Sequence, residues 1–213
     1  MLNRSSKYQQ TFVFIGALLA WFAVIFQFYL IIVNRNYSIL ITIIKFFTFF
    51  TILTNIIVAI TFSSIYFKIN RALKNFFSQP KVLTAVTVYI TIVGLVYNLI
   101  LRFTWQPQGL QMIVDELLHT VIPIYFIIFW LKFVSKEELE WKNIFPWLLY
   151  PFIYLLYIMI WGHFINQYPY PFINVMELGY EKVLINSILL FITFLIMSLL
   201  FVGIGKLMSF NSK

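Results

Sequence analysis

The sequence predicts an all-α membrane protein, a bundle of six transmembrane helices forming a single domain over residues 1–213, with both termini cytoplasmic. Three observations carry that expectation. Charged side chains are too scarce to coat a water-facing surface, uncharged runs of membrane-crossing length recur along the chain, and basic residues concentrate in alternate connections. Of 213 residues, 62% are hydrophobic, 21% aromatic and 10% charged, where soluble domains carry roughly a quarter charged residues. Mean hydropathy is +0.91. There is no cysteine, which excludes disulfides, thiolate chemistry and cysteine zinc sites.

A hydrocarbon core of about 30 Å takes roughly 20 residues of helix. The expected spans are residues 11–33, 46–67, 82–101, 113–132, 144–164 and 183–205. The first exceeds the roughly 7–15 residues of a signal-peptide apolar stretch and has no small-residue cleavage site behind it, so it reads as a span. The second and third are bounded by Lys45, Lys68, Lys81 and Arg102. The fourth is the odd member. Its uncharged run, residues 117–131, is too short to cross, so the helix must take in Asp115 and Glu116. Proline-rich turns trim the fifth, and the sixth runs uncharged to Gly205.

Orientation follows from Lys and Arg in the short connections. Eleven of them (Arg4, Lys7, Lys68, Arg71, Lys74, Lys81, Lys132, Lys136, Lys142, Lys206, Lys213) fall on one side and four (Arg35, Lys45, Arg102, Lys182) on the other. The richer side is expected to be cytoplasmic, in a multi-pass protein of the plasma membrane. The net charge of +8 is thus a topology signal. Basic residues scattered over short loops form no nucleic-acid patch.

That topology gathers polar residues at the non-cytoplasmic end. Thr48 opens the second helix, with Thr51 and Asn55 three and seven residues on. Asn98 and Arg102, four apart and so on one face, close the third. Asp115, Glu116 and His119 open the fourth, and His163 closes the fifth. Ionisable groups at membrane depth are costly and mark functional sites, so one outward-facing site is expected. Asp115 and His119 are at i,i+4, which places a carboxylate to hold the imidazole in one tautomer. Pro123 cannot donate to the carbonyl of His119, so a kink or an unpaired carbonyl is expected there.

Plainer readings stand beside these. A threonine in a transmembrane helix ordinarily hydrogen-bonds its own backbone, and the stripe Thr84, Thr87, Thr91 and Gly94 reads as helix packing. Arg102 also suits an interfacial anchor, and His163, beside Trp161, Tyr168 and Tyr170, an aromatic-belt position. Lys136, Glu137, Glu138, Glu140 and Lys142 read as a solvated loop.

The segment Lys45-Phe46-Phe47-Thr48-Phe49 resembles the Lys-Phe-x-Thr-Phe signature of the androgen-induced and androgen-dependent six-span membrane proteins. Further matches lie in Leu118-His119-Thr120-Val121-Ile122-Pro123, and in Trp161-Gly162-His163 followed by Tyr170-Pro171-Phe172. The resemblance runs in order from the second helix to the start of the sixth. Where members of the family carry a second histidine after the one matching His163, this chain has Phe164. The family are membrane threonine hydrolases that split fatty acid esters of hydroxy fatty acids. The resemblance implies Thr48 as nucleophile and His119 as its partner, with no cofactor or metal.

On that reading Asp115 or Glu116 orients the His119 ring, and Asn98, Arg102 or His163 stabilises the oxyanion. Thr51, Asn55, Trp161 and Tyr170 line the substrate, a lipid ester entering from the membrane. Three alternatives stay open: a metal-dependent hydrolase built on His119, His163 and the carboxylates, a haem between the two histidines, and a non-enzymatic scaffold or transporter.

Overall fold

Inside a bilayer every backbone N–H and C=O must find its partner within the protein, and among the described residues this chain answers with helices alone. The computed structural model describes residues 7–67, 70–104 and 106–210. Arg4, Lys68 and Lys213, counted above for orientation, lie outside them. The elements are α1 (Lys7–Val33), α2 (Ile39–Phe46), α3 (Phe50–Phe67), α4 (Arg71–Phe77), α5 (Pro80–Leu99), α6 (Leu110–Glu116), α7 (Ile122–Phe133), α8 (Ile144–Ile165) and α9 (Val175–Phe210). A π turn, Leu117–Val121, joins α6 to α7. Short 3-10 turns at Leu101–Phe103 and Trp141–Asn143 extend α5 and precede α8.

Six helices among the described residues are long and apolar enough to cross a membrane: Lys7–Val33, Phe50–Phe67, Pro80–Phe103, Leu110–Phe133, Trp141–Ile165 and Val175–Phe210. Their outer faces carry Leu18, Ile25, Ile153, Leu184, Ile188 and Leu199 exposed. Apolar exposure on this scale is what contact with lipid accounts for. α5 is the most enclosed helix, packed against α3, α7 and α9.

The second span departs from expectation. It does not run unbroken from residue 46. A separate helix, α2, occupies the connection after α1, capped at its start by Ser38, whose hydroxyl accepts from the Ile41 amide. The chain then breaks at Phe47–Phe49 before α3 begins. Inside the break the Thr48 hydroxyl donates to the Lys45 carbonyl at 2.7 Å, a local bond that competes with helix continuation. The Tyr154 hydroxyl, from α8, donates to the Thr48 carbonyl at 2.7 Å and holds the break open.

α8 carries Pro151 in its interior. A proline cannot donate to the carbonyl four residues earlier, here that of Trp147. The Tyr89 hydroxyl of α5 donates to that carbonyl at 2.8 Å. The stripe Thr84, Thr87 and Thr91 does what such residues ordinarily do: each hydroxyl donates to the carbonyl four residues back.

The loop after α7 is not uniformly solvated. Lys136 is 8% exposed, and its ammonium donates to the carbonyls of Trp130 at 2.5 Å and Leu131 at 2.9 Å while lying over the Trp130 ring. A cation here sits at the negative end of the α7 dipole and adds a second donor to the Trp130 carbonyl, which the Val134 amide also reaches at 3.3 Å. Burial lowers the Lys136 pKa from 10.5 to about 8.

Two predictions follow from these pairings. Tyr89→Phe orphans the Trp147 carbonyl and is expected to cost about 1–3 kcal/mol. In a Pro151→Ala background the carbonyl regains an amide partner and the cost should shrink, a coupling measurable by a double-mutant cycle of melting in detergent. For Lys136, the folded pKa lies below the unfolded one, so the unfolded chain binds more protons between the two values. Stability therefore rises as pH climbs from about 8 toward 10, and Lys136→Met should flatten that slope.

Candidate functional site

The π turn sits where Pro123 predicted a disturbance. Pro123 leaves the His119 carbonyl without its amide, and the Asn98 side chain of α5 donates to it at 3.2 Å. Close approach of the two helices requires Gly94: a Cβ there would stand 3.1 Å from Pro123 Cβ and 3.2 Å from the His119 carbonyl oxygen. From the other side, Asn55 of α3 donates to the Leu118 carbonyl at 3.2 Å and to the Thr51 carbonyl at 2.9 Å. Neighbouring helices thus hold the turn open. A π turn of this kind often accompanies a functional side chain, and this one carries His119.

The imidazole is fixed on three sides. Nδ1 lies 2.9 Å from the backbone carbonyl of Asp115 and 3.3 Å from its carboxylate Oδ1. A carbonyl oxygen only accepts, so in the neutral ring Nδ1 carries the hydrogen and Nε2 keeps its lone pair. Nε2 has no hydrogen-bond partner among the described residues. The ring stacks on Tyr97, with centroids 4.0 Å apart and planes 14° from parallel. The Tyr97 hydroxyl in turn donates to Asp115 Oδ2. Tyr97, Asp115 and His119 form one closed group, and Asp115 rather than Glu116 faces the histidine.

Glu116 points the other way. It pairs with Arg102 at 2.5 Å, and Arg102 also donates to the Thr120 hydroxyl at 3.3 Å. Asn98 reaches the same hydroxyl at 3.5 Å besides the carbonyls of Gly94 and His119. These three clamp α5 to the fourth span on its outer side.

His119 and Asp115 line a cavity of about 560 Å3 at one end of the bundle, within the range of small-molecule sites. Its walls come from α1 (Gln27, Leu30), α2 and the α2–α3 break (Thr42, Lys45, Phe46, Phe49), α3 (Thr51), α5 (Tyr97) and the loop Pro169–Pro171. Arg35 and Lys45 also line it, and Asp115 is the one carboxylate among its lining residues. Gln111 donates to Gln27 at 2.8 Å, joining α6 to α1 beside it.

Thr51 and Tyr170 both line this cavity, and they touch. The Thr51 amide, in the first turn of α3, donates to the Tyr170 hydroxyl at 3.3 Å, and the two hydroxyls lie 3.4 Å apart. Burial raises the Tyr170 pKa, so the phenol stays neutral. Other expected members are elsewhere. Thr48 is 1% exposed, its hydroxyl is engaged with Lys45, and it is not part of the lining. Asn55 lies behind the cavity in the helix interface. Asn98, Arg102 and Glu116 do not reach it.

His163 and Trp161 also stand outside the lining. His163 is exposed, with its ring edge against Phe164. The reason is Gly162: the Tyr168 ring packs so closely that a Cβ would lie 2.0 Å from it. This folds the loop onto that face of the helix end and leaves His163 exposed and Trp161 half-buried. Among the described residues no three His, Asp or Glu side chains gather as a metal-binding group.

The chain matches no family model, no curated protein and no solved structure. Tyr97, one of two tyrosines in an apolar helix, carries no sequence signal that marks it as a site residue, and neither do the two cations, Arg35 and Lys45, as cavity residues.

The tautomer is directly testable. Histidine 15N spectra should show neutral His119 protonated at Nδ1, with His163→Gln separating the two rings. Asp115→Ala keeps the Asp115 backbone carbonyl, so the same tautomer should persist. A majority Nε2–H form in either protein would contradict the geometry.

Proposed function

We propose that this chain is an integral membrane hydrolase for a lipidic ester, of the fatty acid ester of hydroxy fatty acid type, with His119 as general base. The observation that carries this reading is the His119 arrangement: Nδ1 is held by Asp115, and Nε2 is unengaged on a residue lining a cavity of about 560 Å3. That is the orientation a base needs. The basic-residue asymmetry supports termini on the cytoplasmic side of the plasma membrane and a cavity opening on the other.

The nucleophile is a threonine of the α2–α3 region. The resemblance implies Thr48, while Thr51 shares the cavity with His119. The hydroxyl oxygen attacks the ester carbonyl carbon as its proton passes to Nε2. The alcohol leaves with that proton, and water, deprotonated by the same nitrogen, releases the acid and restores the threonine. The Thr51 amide, in the first turn of α3, and the Tyr170 hydroxyl to which it donates are suited to the oxyanion. Arg35 and Lys45 suit an anionic group on the substrate.

A fluorophosphonate probe on the purified chain tests this reading. Labelling should occur in wild type and fall roughly 10²- to 10⁴-fold in His119→Ala. It should vanish in either Thr48→Ala or Thr51→Ala, which names the nucleophile. Absence of labelling, or labelling indifferent to all three substitutions, would remove the hydrolase reading.

A further inference from the structure

A second cavity lies beside the first, between α3, α5, α8 and α9. Its volume is about 90 Å3, where a single water needs roughly 10–15 Å3 on the same measure. Ile92, Val93, Val96, Phe191 and Phe194 supply much of its wall. Its few polar side chains are each engaged. The Ser187 hydroxyl donates to the Val183 carbonyl, Tyr154 to the Thr48 carbonyl, and Tyr97 to Asp115, while Thr51 and Tyr170 meet each other. The slot therefore presents carbon to whatever enters, and such cavities stay dry and take apolar guests.

Two further features define the guest. Thr51, Tyr97, Leu101 and Tyr170 line both cavities, so the slot abuts the chamber that holds His119. On its far side Leu155, Leu190 and Phe191 are only half-buried, so its outer wall is also part of the apolar face turned to lipid. A space with one end at a polar chamber and the other at the hydrocarbon fits an extended alkyl chain.

We propose that this slot is an acyl-chain site, in which a membrane lipid lays its chain between α8 and α9 with its polar end at the Thr51–Tyr170 wall. The ester carbonyl of the preceding reading then lies at His119, and to that extent the proposal rests on that reading. Chain length sets affinity, with about a fourfold gain for each methylene the slot takes up. Ser187 and Leu190 set the limit.

The test uses the full chain in detergent with a fatty acid carrying a terminal diazirine, photolysed and mapped by mass spectrometry. Adducts are expected on peptides around Leu155 and Leu190–Phe194. They should fall at least tenfold in Ser187→Leu and Leu190→Trp, which fill the slot from its two sides, and persist in Ser187→Ala. Should Ser187→Leu fail to fold, Leu190→Trp carries the test from the lipid-facing side. Adducts confined to exposed positions such as Leu184 and Ile188, or unaltered by both filling variants, overturn the proposal. Short- and long-chain p-nitrophenyl esters give a separate readout. Slot adducts without hydrolysis of any ester keep the chain site and remove the hydrolase. Hydrolysis with the same chain-length preference in wild type and both filled variants overturns the slot.

Discussion

Backbone pairing inside a hydrocarbon medium is the constraint on which the rest of this structure turns. A carbonyl without a donor at that depth costs several kcal/mol, and this chain places two prolines, Pro123 and Pro151, beyond the first turn of membrane-crossing helices. Each leaves one carbonyl open, at His119 and Trp147. Both are answered from the same helix: Asn98 and Tyr89 of α5 donate to them. α5 is therefore central for a reason beyond apolar packing. It carries the donors that make two irregular helices tolerable, and its own polar residues would be costly without those acceptors.

The same logic explains why the site forms where it does. An unbroken α-helix engages its backbone and presents little but side chains. Here the α2–α3 break, the π turn and the Pro169–Pro171 loop come together at one end. Irregular backbone at that end lines the open cavity or is bonded to Tyr154, Tyr170 and Asn55. Irregular backbone near lipid is tolerated in such places and few others. The polar chamber and the breaks in the helices are one arrangement.

How much of this the sequence foretold depends on the range of the interaction responsible. The six spans and the disturbance before Pro123 were legible, because apolar length and a missing amide are local properties. The pairing of Asp115 with His119 was legible as an i,i+4 relation. That Glu116 takes Arg102 instead is fixed by the turn the π helix imposes, which spacing alone does not encode. The break at Phe47–Phe49 was invisible because a partner that pins it, Tyr154, lies 106 residues away. His163 looked equivalent to His119 by depth, yet depth carries no direction, and the packing of Tyr168 on Gly162 turns the end of α8 outward. Lys136 looked solvated because a charged loop ordinarily is; nothing in its neighbours announces the carbonyls of Trp130 and Leu131.

The two threonines illustrate how small a difference separates resemblance from resting geometry. In an uninterrupted helix Thr48 and Thr51 would share a face. The break separates them, engaging Thr48 with Lys45 and leaving Thr51 against Tyr170. A single neutral hydrogen bond such as Thr48 to Lys45 is worth about 0.5–1.5 kcal/mol net. A bound acyl chain burying a few methylenes, at about 0.8 kcal/mol each, exceeds that. Binding of an acyl chain as proposed above is thus energetically able to reshape the break, provided the chain and its polar end draw on the same wall. Thr51 and Tyr170 are that wall, shared by the chamber and the slot, so on the proposed reading occupancy of one cavity bears directly on the backbone beside the other.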